Sequence, residues 1–319
     1  GSDRSFDPVW LRLADKPASA LRSLLPASGD ENRANSLNDL IQFFYHPTEY
    51  WAKHQLGVYL DDRTTVLDDV EPFVSDYLLR YSTQQDMVSS LIEHQGDSAP
   101  LAAIVAQMQL SGSLPEHPLV ALELDEWQQQ AQDFHAVIAT RCQPTVNFVD
   151  IDISVAGIQV VDAIGLTAEG NVQVWRLADP KAKDYLRLWL TQLVLQVATP
   201  NFTGQVEGWY RGKDGFSHIK VSAIADAEVV LANWLSVFAE GMREPLFLNA
   251  DVGIKTLAGG SNNTPSKLWQ TGHFSTGMSE DPYMAHYWHE MPSEDLFLAC
   301  GQFYADMMAH CTLTQGSVA

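Results

Sequence analysis

The sequence predicts an α+β fold: a mixed β-sheet flanked by helices, with further helices added at both ends. Three observations predict it. Apolar residues recur at helical spacing before residue 142 and after residue 224. Short runs rich in β-branched residues, separated by glycine-containing turns, fill 146–177 and 202–221. A strongly apolar helical stretch, 182–198, lies between those two groups of strands.

Residues 1–35 are mixed, with Pro17, Pro26, Gly29 and a polar run from Ser28 to Asn35, and are expected to be a linker or the tail of an upstream domain. Gly1-Ser2 resembles the remnant of a cleaved tag, so a fragment of a longer protein is expected. The main domain is expected over 36–319. Ser36 with Asp39 three residues on is a helix-capping pattern, and Leu37, Leu40, Ile41 and Phe44 follow at helical spacing. His46-Pro47 should break that helix, because proline has no N–H and clashes with the preceding turn. A second helical segment, Thr48 to Leu56, is expected to end at Gly57. Further helices are expected around 83–95, 98–110 and 118–141.

Val146 to Ile153, Ile158 to Leu166 and Val172 to Leu177 read as three consecutive antiparallel strands, split by Gly157 and by Glu169-Gly170. After the 182–198 helix comes a hairpin: Phe202 to Tyr210, a turn through Arg211 to Gly215, then Phe216 to Val221. The segments 224–242 and 293–311 are expected to be helical, and the Gly/Ser/Asn-rich stretch 250–265 a mobile loop. The order helix, three strands, helix, two strands, helix matches the restriction-endonuclease-like nuclease fold.

Composition narrows the function classes. The chain has 319 residues, 46% of them hydrophobic, enough for a sizeable core. No apolar run is long enough for a membrane helix, and no membrane role is expected. Three scattered cysteines, Cys142, Cys300 and Cys311, fit a reducing cytoplasm better than a disulfide framework. Forty acids against nineteen Lys and Arg give a net charge of -21, which repels a polyanion at long range. Autonomous DNA binding is therefore expected to be weak. The same acidity also serves plain solubility.

Four segments carry a family resemblance. They are Ser36-Leu-Asn-Asp-Leu-Ile-Gln-Phe-Phe-Tyr-His-Pro47 with Tyr50 and Leu56-Gly-Val58; Asp69-Val-Glu-Pro-Phe73; Arg187-Leu-Trp-Leu-Thr-Gln-Leu-Val194; and Gly241-Met-Arg-Glu-Pro-Leu246. In this order the chain resembles the C-terminal, nuclease-like domain of the RecC family, the gamma subunit of the exodeoxyribonuclease V helicase-nuclease (RecBCD). The resemblance implies a bacterial cytoplasmic role in DNA double-strand break repair by recombination. It implies RecB and RecD subunits as partners and a part in splitting and guiding DNA strands. It also implies the RecB nuclease fold without its active site, so no enzymatic activity in the domain itself. The alternative is an active Mg²⁺ nuclease of the same fold.

Nucleases of this fold hold Mg²⁺ through an acid on the second strand and an Asp/Glu-x-Lys on the third. Asp162 stands on the second strand where the first acid belongs, but the third strand, Val172-Gln-Val-Trp-Arg-Leu177, offers neither acid nor lysine. Trp175 and Arg176 occupy the relevant region, so Asp162 is expected to be a relic, with no catalytic residue, metal or cofactor. Asp179-Pro180-Lys181 has Asp-x-Lys spacing, yet Pro180 should end the strand before it. His286 and His289, with Glu290, invite a zinc reading that competes with an aromatic packed helix; His310-Cys311 reads as packing. No Gly-rich phosphate loop is present, so any motor lies in other subunits. For DNA contact the best local feature is the hairpin with Trp209, Tyr210, Arg211, Lys213 and Lys220, where aromatic faces and cations suit stacking against a separated strand. An ordinary solvated hairpin or a subunit interface are the competing readings.

Overall fold

The computed structural model describes residues 34–60, 77–110, 120–212, 215–272 and 276–316. Along the chain run α1 (Leu37–Tyr45), α2 (Pro47–Gln55), α3 (Tyr77–Glu93), α4 (Leu101–Leu110) and α5 (Val120–Ile138). Then follow β1 (Thr145–Val155), β2 (Ile158–Thr167), β3 (Val172–Arg176), α6 (Ala182–Ala198), β4 (Val206–Gly212) and β5 (Gly215–Val221). Last come α7 (Ala227–Gly241), α8 (Ala250–Ala258), α9 (Pro265–Trp269), a 3-10 turn (Met278–Glu280), α10 (Pro282–Tyr287), α11 (Glu294–His310) and β6 (Cys311–Gly316). By contact the described residues divide into two compact units: those within 1–63, 152–161 and 228–306, and those within 64–151, 162–227 and 307–319.

In the first unit, α1 starts on a capping box. Ser36 Oγ accepts from the N–H of Asp39 (3.1 Å), and the Asp39 carboxylate accepts from the N–H of Ser36 (2.9 Å). Leu40, Ile41, Phe43 and Phe44 form its buried stripe. His46 ends α1 and begins α2: its N–H bonds Gln42 O, while its Nδ1 accepts from Glu49 N (3.2 Å). Pro47 then sits at the first helical position, where a missing N–H costs nothing. Gly57, at φ 63°, follows the end of α2. An aromatic cluster joins Phe43 and Phe44 to Trp234 and Phe238 of α7 and Phe303 and Tyr304 of α11. The buried Tyr304 hydroxyl donates to Phe44 O (2.8 Å), a carbonyl near the end of α1.

The second unit holds a four-stranded mixed sheet of order β3-β4-β5-β6. β3 and β4 are parallel, in register Val172↔Val206 to Arg176↔Tyr210, and α6 is the crossover between them. α6 packs across β4 and β5, with Leu186, Trp189, Leu190, Leu193 and Val194 among its buried residues. Against the opposite face lie α3, α4 and α5. Leu124, Trp127, Ala131, Phe134 and Ile138 of α5 meet Met87, Val88 and Leu91 of α3, together with Phe216 of β5.

Three sequence expectations are corrected. β1 and β2 form a two-stranded sheet of their own, so 145–177 is not a single three-stranded antiparallel ladder. A turn at Thr167–Asn171, with Gly170 at φ 82°, redirects the chain, and Val172 N then bonds Gln205 O (2.8 Å) on the β4 side. The fourth strand of the main sheet is β6, which pairs antiparallel with β5 from Val221↔Cys311 to Phe216↔Gly316 and was not foreseen. Residues 250–258 are the helix α8, not a loop, because Asn249 Oδ1 caps it through the N–H of Val252 (3.1 Å). Apart from Ala34 and Asn35, the expected 1–35 tail lies outside the described residues, as does Asp69 to Phe73.

Candidate functional site

The chemistry expected from the sequence centres on β2 and β3. Asp162 is half-buried on β2, and its Oδ1 accepts from the N–H of Ala163 (2.8 Å). β3 carries no carboxylate. Its Gln173 donates to Glu207 Oε1 (2.7 Å) and to Arg141 O (3.0 Å), and accepts from the N–H of Gln143 (2.7 Å). Trp175 packs on the α3–α5 cluster, 6.0 Å from the Phe134 ring. Arg176 bonds the Asp184 carboxylate and Asp179 O through one guanidinium nitrogen, and its guanidinium lies 5.9 Å from the centre of the Tyr210 ring. On β3, then, the side chains of Gln173 and Arg176 are hydrogen-bonded to other parts of the protein and that of Trp175 is packed.

The carboxylate opposite Gln173 is Glu207, on β4. Burial alone would raise its pKa. Hydrogen bonds from His218 (2.8 Å) and Gln173, with the charges of His218 and Lys220, outweigh burial and hold it below the usual carboxylate range. Glu207 is therefore ionised and already partnered. Beside it, burial foremost, with Glu207, pushes the Cys142 thiol up to about 12, which leaves it protonated and unreactive at neutral pH.

The other ligand-like motifs are placed as follows. Asp179 and Lys181 lie in the turn between β3 and α6. A Cβ on Gly212 would overlap the Asp179 carboxylate, so that glycine admits the side chain. Lys181 caps α6, its N–H bonded to Asp184 Oδ2 (2.7 Å). α10 ends at Tyr287, so His286 and His289 do not share a helix face; their rings are 6.5 Å apart. His310 packs 5.4 Å from Trp189, and burial pushes the Cys311 thiol up to about 12. Among the described residues no three His, Cys, Asp or Glu side chains converge as metal ligands.

β4 and β5 pair as expected, but the aromatic side chains of their described residues are not arranged as a stacking platform. Trp209 and Tyr210 are neighbours on one strand, so they point to opposite faces. Tyr210 is 1% exposed, among groups of α6. Trp209 packs on the α3–α5 cluster, stacks on His218 at 3.8 Å with a 9° interplanar angle, and has Arg141 5.4 Å from its ring centre. Arg211 donates to Gln130 O (3.1 Å) on α5 and lies over Phe216. Lys213 lies outside the described residues, and Lys220 is exposed.

Sequence reasoning did not find a cleft of about 940 Å³ in the first unit, lined by Tyr45, His46, Glu49, Asp251, Lys255 and Asp281 among others. The Tyr45 hydroxyl donates to Asp251 (2.6 Å), and His46 Nε2 meets Asp281 (3.1 Å). No local signal marks it, because these partners are more than 200 positions apart in sequence.

Comparison with known proteins gives one consistent answer. The family described as the RecC C-terminal domain matches residues 32–261. The chain is similar to the RecBCD enzyme subunit RecC of Escherichia coli (strain K12), 23% identical over 265 residues, covering 78% of this chain and 23% of that protein. It is similar to the subunit of the same name from Haemophilus influenzae, 25% identical over 210 residues, covering 62% of this chain and 18% of that one. A third relative, the RecC subunit of Buchnera aphidicola, is 19% identical over 222 residues, covering 68% and 20%. The chain thus spans about a fifth of the length of the curated relatives it matches.

Proposed function

The chain belongs to the RecC C-terminal domain family, and from that premise we propose that it is a non-catalytic, nuclease-like domain of a RecC-type subunit of exodeoxyribonuclease V. In this reading residues 36–319 are the domain and 1–35 an upstream tail. The domain supports assembly with RecB- and RecD-type subunits and helps guide separated strands during double-strand break repair in a bacterial cytoplasm. The ATP-dependent helicase and nuclease activities belong to the parent complex. No helix among the described residues is long and apolar enough to cross a membrane.

One observation carries the non-catalytic reading: β3 supplies no carboxylate, and Gln173 and Arg176 are tied into side-chain pairs with Glu207 and Asp184. A Mg²⁺ ion held by Asp162 alone would have one protein ligand, too few to compete with its hydration shell. The restriction-endonuclease-like fold is part of the proposal. It is supported by the parallel β3–β4 pair with its α6 crossover and by helices on both faces of the sheet. For DNA, the proposal rests on the exposed Lys220, with Arg211 bracing the hairpin; Lys213 stays a candidate from the sequence alone. Trp209 and Tyr210 hold the hairpin from inside.

Calorimetric titration with Mn²⁺ and a nuclease assay on single-stranded and duplex DNA test the catalytic part. No heat of tight binding and no cleavage are expected. A tight Mn²⁺ site that disappears in Asp162→Ala, or cleavage that it abolishes, would establish the alternative, an active metal-dependent nuclease.

A further inference from the structure

We propose that the outer edge of β6 is a docking edge for an extended segment of a partner polypeptide, which adds as a fifth strand to the main sheet. The proposal rests on the RecC-type reading, in which the chain works inside a multisubunit complex.

β6 is the last strand in the order β3-β4-β5-β6, and among the described residues nothing pairs with its outer side. Five of its six residues, Thr312 to Gly316, are exposed. An open sheet edge presents unpaired N–H and C=O groups, and proteins blunt such edges with charge, proline, a bulge or very short length. β6 has none of these guards. Cys311-Thr-Leu-Thr-Gln-Gly316 contains no charge and no proline, and its register with β5 runs unbroken over all six residues. The opposite edge is different. β3 has five residues, ends on the charged Arg176, and has the 141–143 segment hydrogen-bonded to its Gln173. β3 thus carries a charged end that β6 lacks.

Charge decides between occupants. A second copy would bring another -21 to an interface with no compensating cations of its own on β6. The net charge of -21 disfavours an acidic strand, and the side chains of the edge are themselves uncharged: Thr312 and Thr314 on one face, and Leu313, 41% exposed, on the other. Backbone ladder bonds would supply affinity, and a cross-strand apolar contact at Leu313 would set register. The partner is therefore an extended segment without net negative charge, carrying an apolar residue opposite Leu313.

The test is hydrogen exchange on the full chain, alone and assembled with RecB- and RecD-type subunits of the same organism. Assembly should slow the outward-facing amides of 312–316 by at least about tenfold, while those already bonded to β5 change little. Leu313→Pro and Thr314→Pro complete it, because adjacent residues of an edge strand point their N–H groups alternately toward β5 and outward. One of the two should keep the melting temperature of the parent and weaken assembly at least about tenfold; the other should lower the melting temperature. An assembled complex whose β6 amides exchange as fast as in the free chain overturns the docking edge and leaves the RecC-type reading standing. Failure to assemble at all removes both. Protection of β6 in the isolated chain that grows with its concentration overturns the choice of partner in favour of a second copy.

Discussion

Replacing Trp209 with alanine separates an aromatic that reads DNA from one that holds the sheet together. A fully buried Trp removes about 150–250 Å² from water, which at roughly 25 cal/mol per Å² is about 4–6 kcal/mol. Trp209 is only partly buried, so we halve that figure, and add roughly 0.5–1.5 kcal/mol for its stack on His218 at 3.8 Å. Trp209→Ala should then destabilise the protein by about 3 kcal/mol, which for a chain of 319 residues is a fall of roughly 4–5 °C in melting temperature. An exposed stacking residue would change stability by no more than about 0.5 kcal/mol. Thermal unfolding followed by far-UV circular dichroism, with Lys220→Ala as the surface control, makes the comparison. If Trp209→Ala melts within a degree or two of the parent, the packing described for this side chain is wrong and its role as a DNA platform returns. The same arithmetic bears on unwinding assays. A hairpin variant that includes Trp209→Ala confounds misfolding with lost contact, whereas Lys220→Ala alone does not.

Within an assembled complex, Lys220→Ala should lower the slope of log affinity for single-stranded DNA against log salt by about 0.7, read by fluorescence anisotropy; an unchanged slope takes Lys220 out of the DNA path. Tyr304→Phe should cost about 1–3 kcal/mol in denaturant unfolding, because it strips a buried hydroxyl bond from Phe44 O. Gly253→Ala should cost a further 1–3 kcal/mol, roughly, since its Cβ would come within 2.3 Å of the Tyr304 ring and 3.0 Å of Cys300 O. Glu207 has a folded pKa below its ordinary value, so its stabilisation is fully present above the unfolded pKa and is lost as pH falls through the folded one. The stability gap between the parent and Glu207→Gln should accordingly narrow as pH drops from 7 to below about 4; a gap that stays constant would show that Glu207 contributes by packing alone.

The helices were legible because their signals are local. The Ser36–Asp39 cap, the break at His46-Pro47 and the 3–4 spacing from Leu124 to Ile138 each depend on residues within one or two turns. β6 was not legible. Cys311-Thr-Leu-Thr follows a helical pattern without a break signal, and its strand character comes from β5, about ninety positions earlier. The three strands of 145–177 were found individually, but which sheet each joins is a long-range choice that alternation does not encode. At the site, the missing carboxylate on β3 could be read directly. The burial of Tyr210 could also have been inferred: Val206, Gly208 and Tyr210 alternate with Glu207 and Trp209, so adjacent aromatics on one strand never form a single platform. The partners of Gln173 and Arg176 required the parallel register, which no sequence pattern announces.

The pairing of β5 with β6 also fixes an order of events during synthesis. When Val221 has left the ribosome, its partner Cys311 has yet to be translated, and at about 5–20 residues per second the wait is several seconds. For that interval Phe216-Ser-His-Ile-Lys-Val221 is itself the rim of a three-stranded sheet. Its charged Lys220, and His218 beside Glu207, are the guards that rim carries while it waits. A chain stopped short of residue 311 would keep that rim permanently open, which predicts that such truncations aggregate during expression even though every other strand of the sheet is complete.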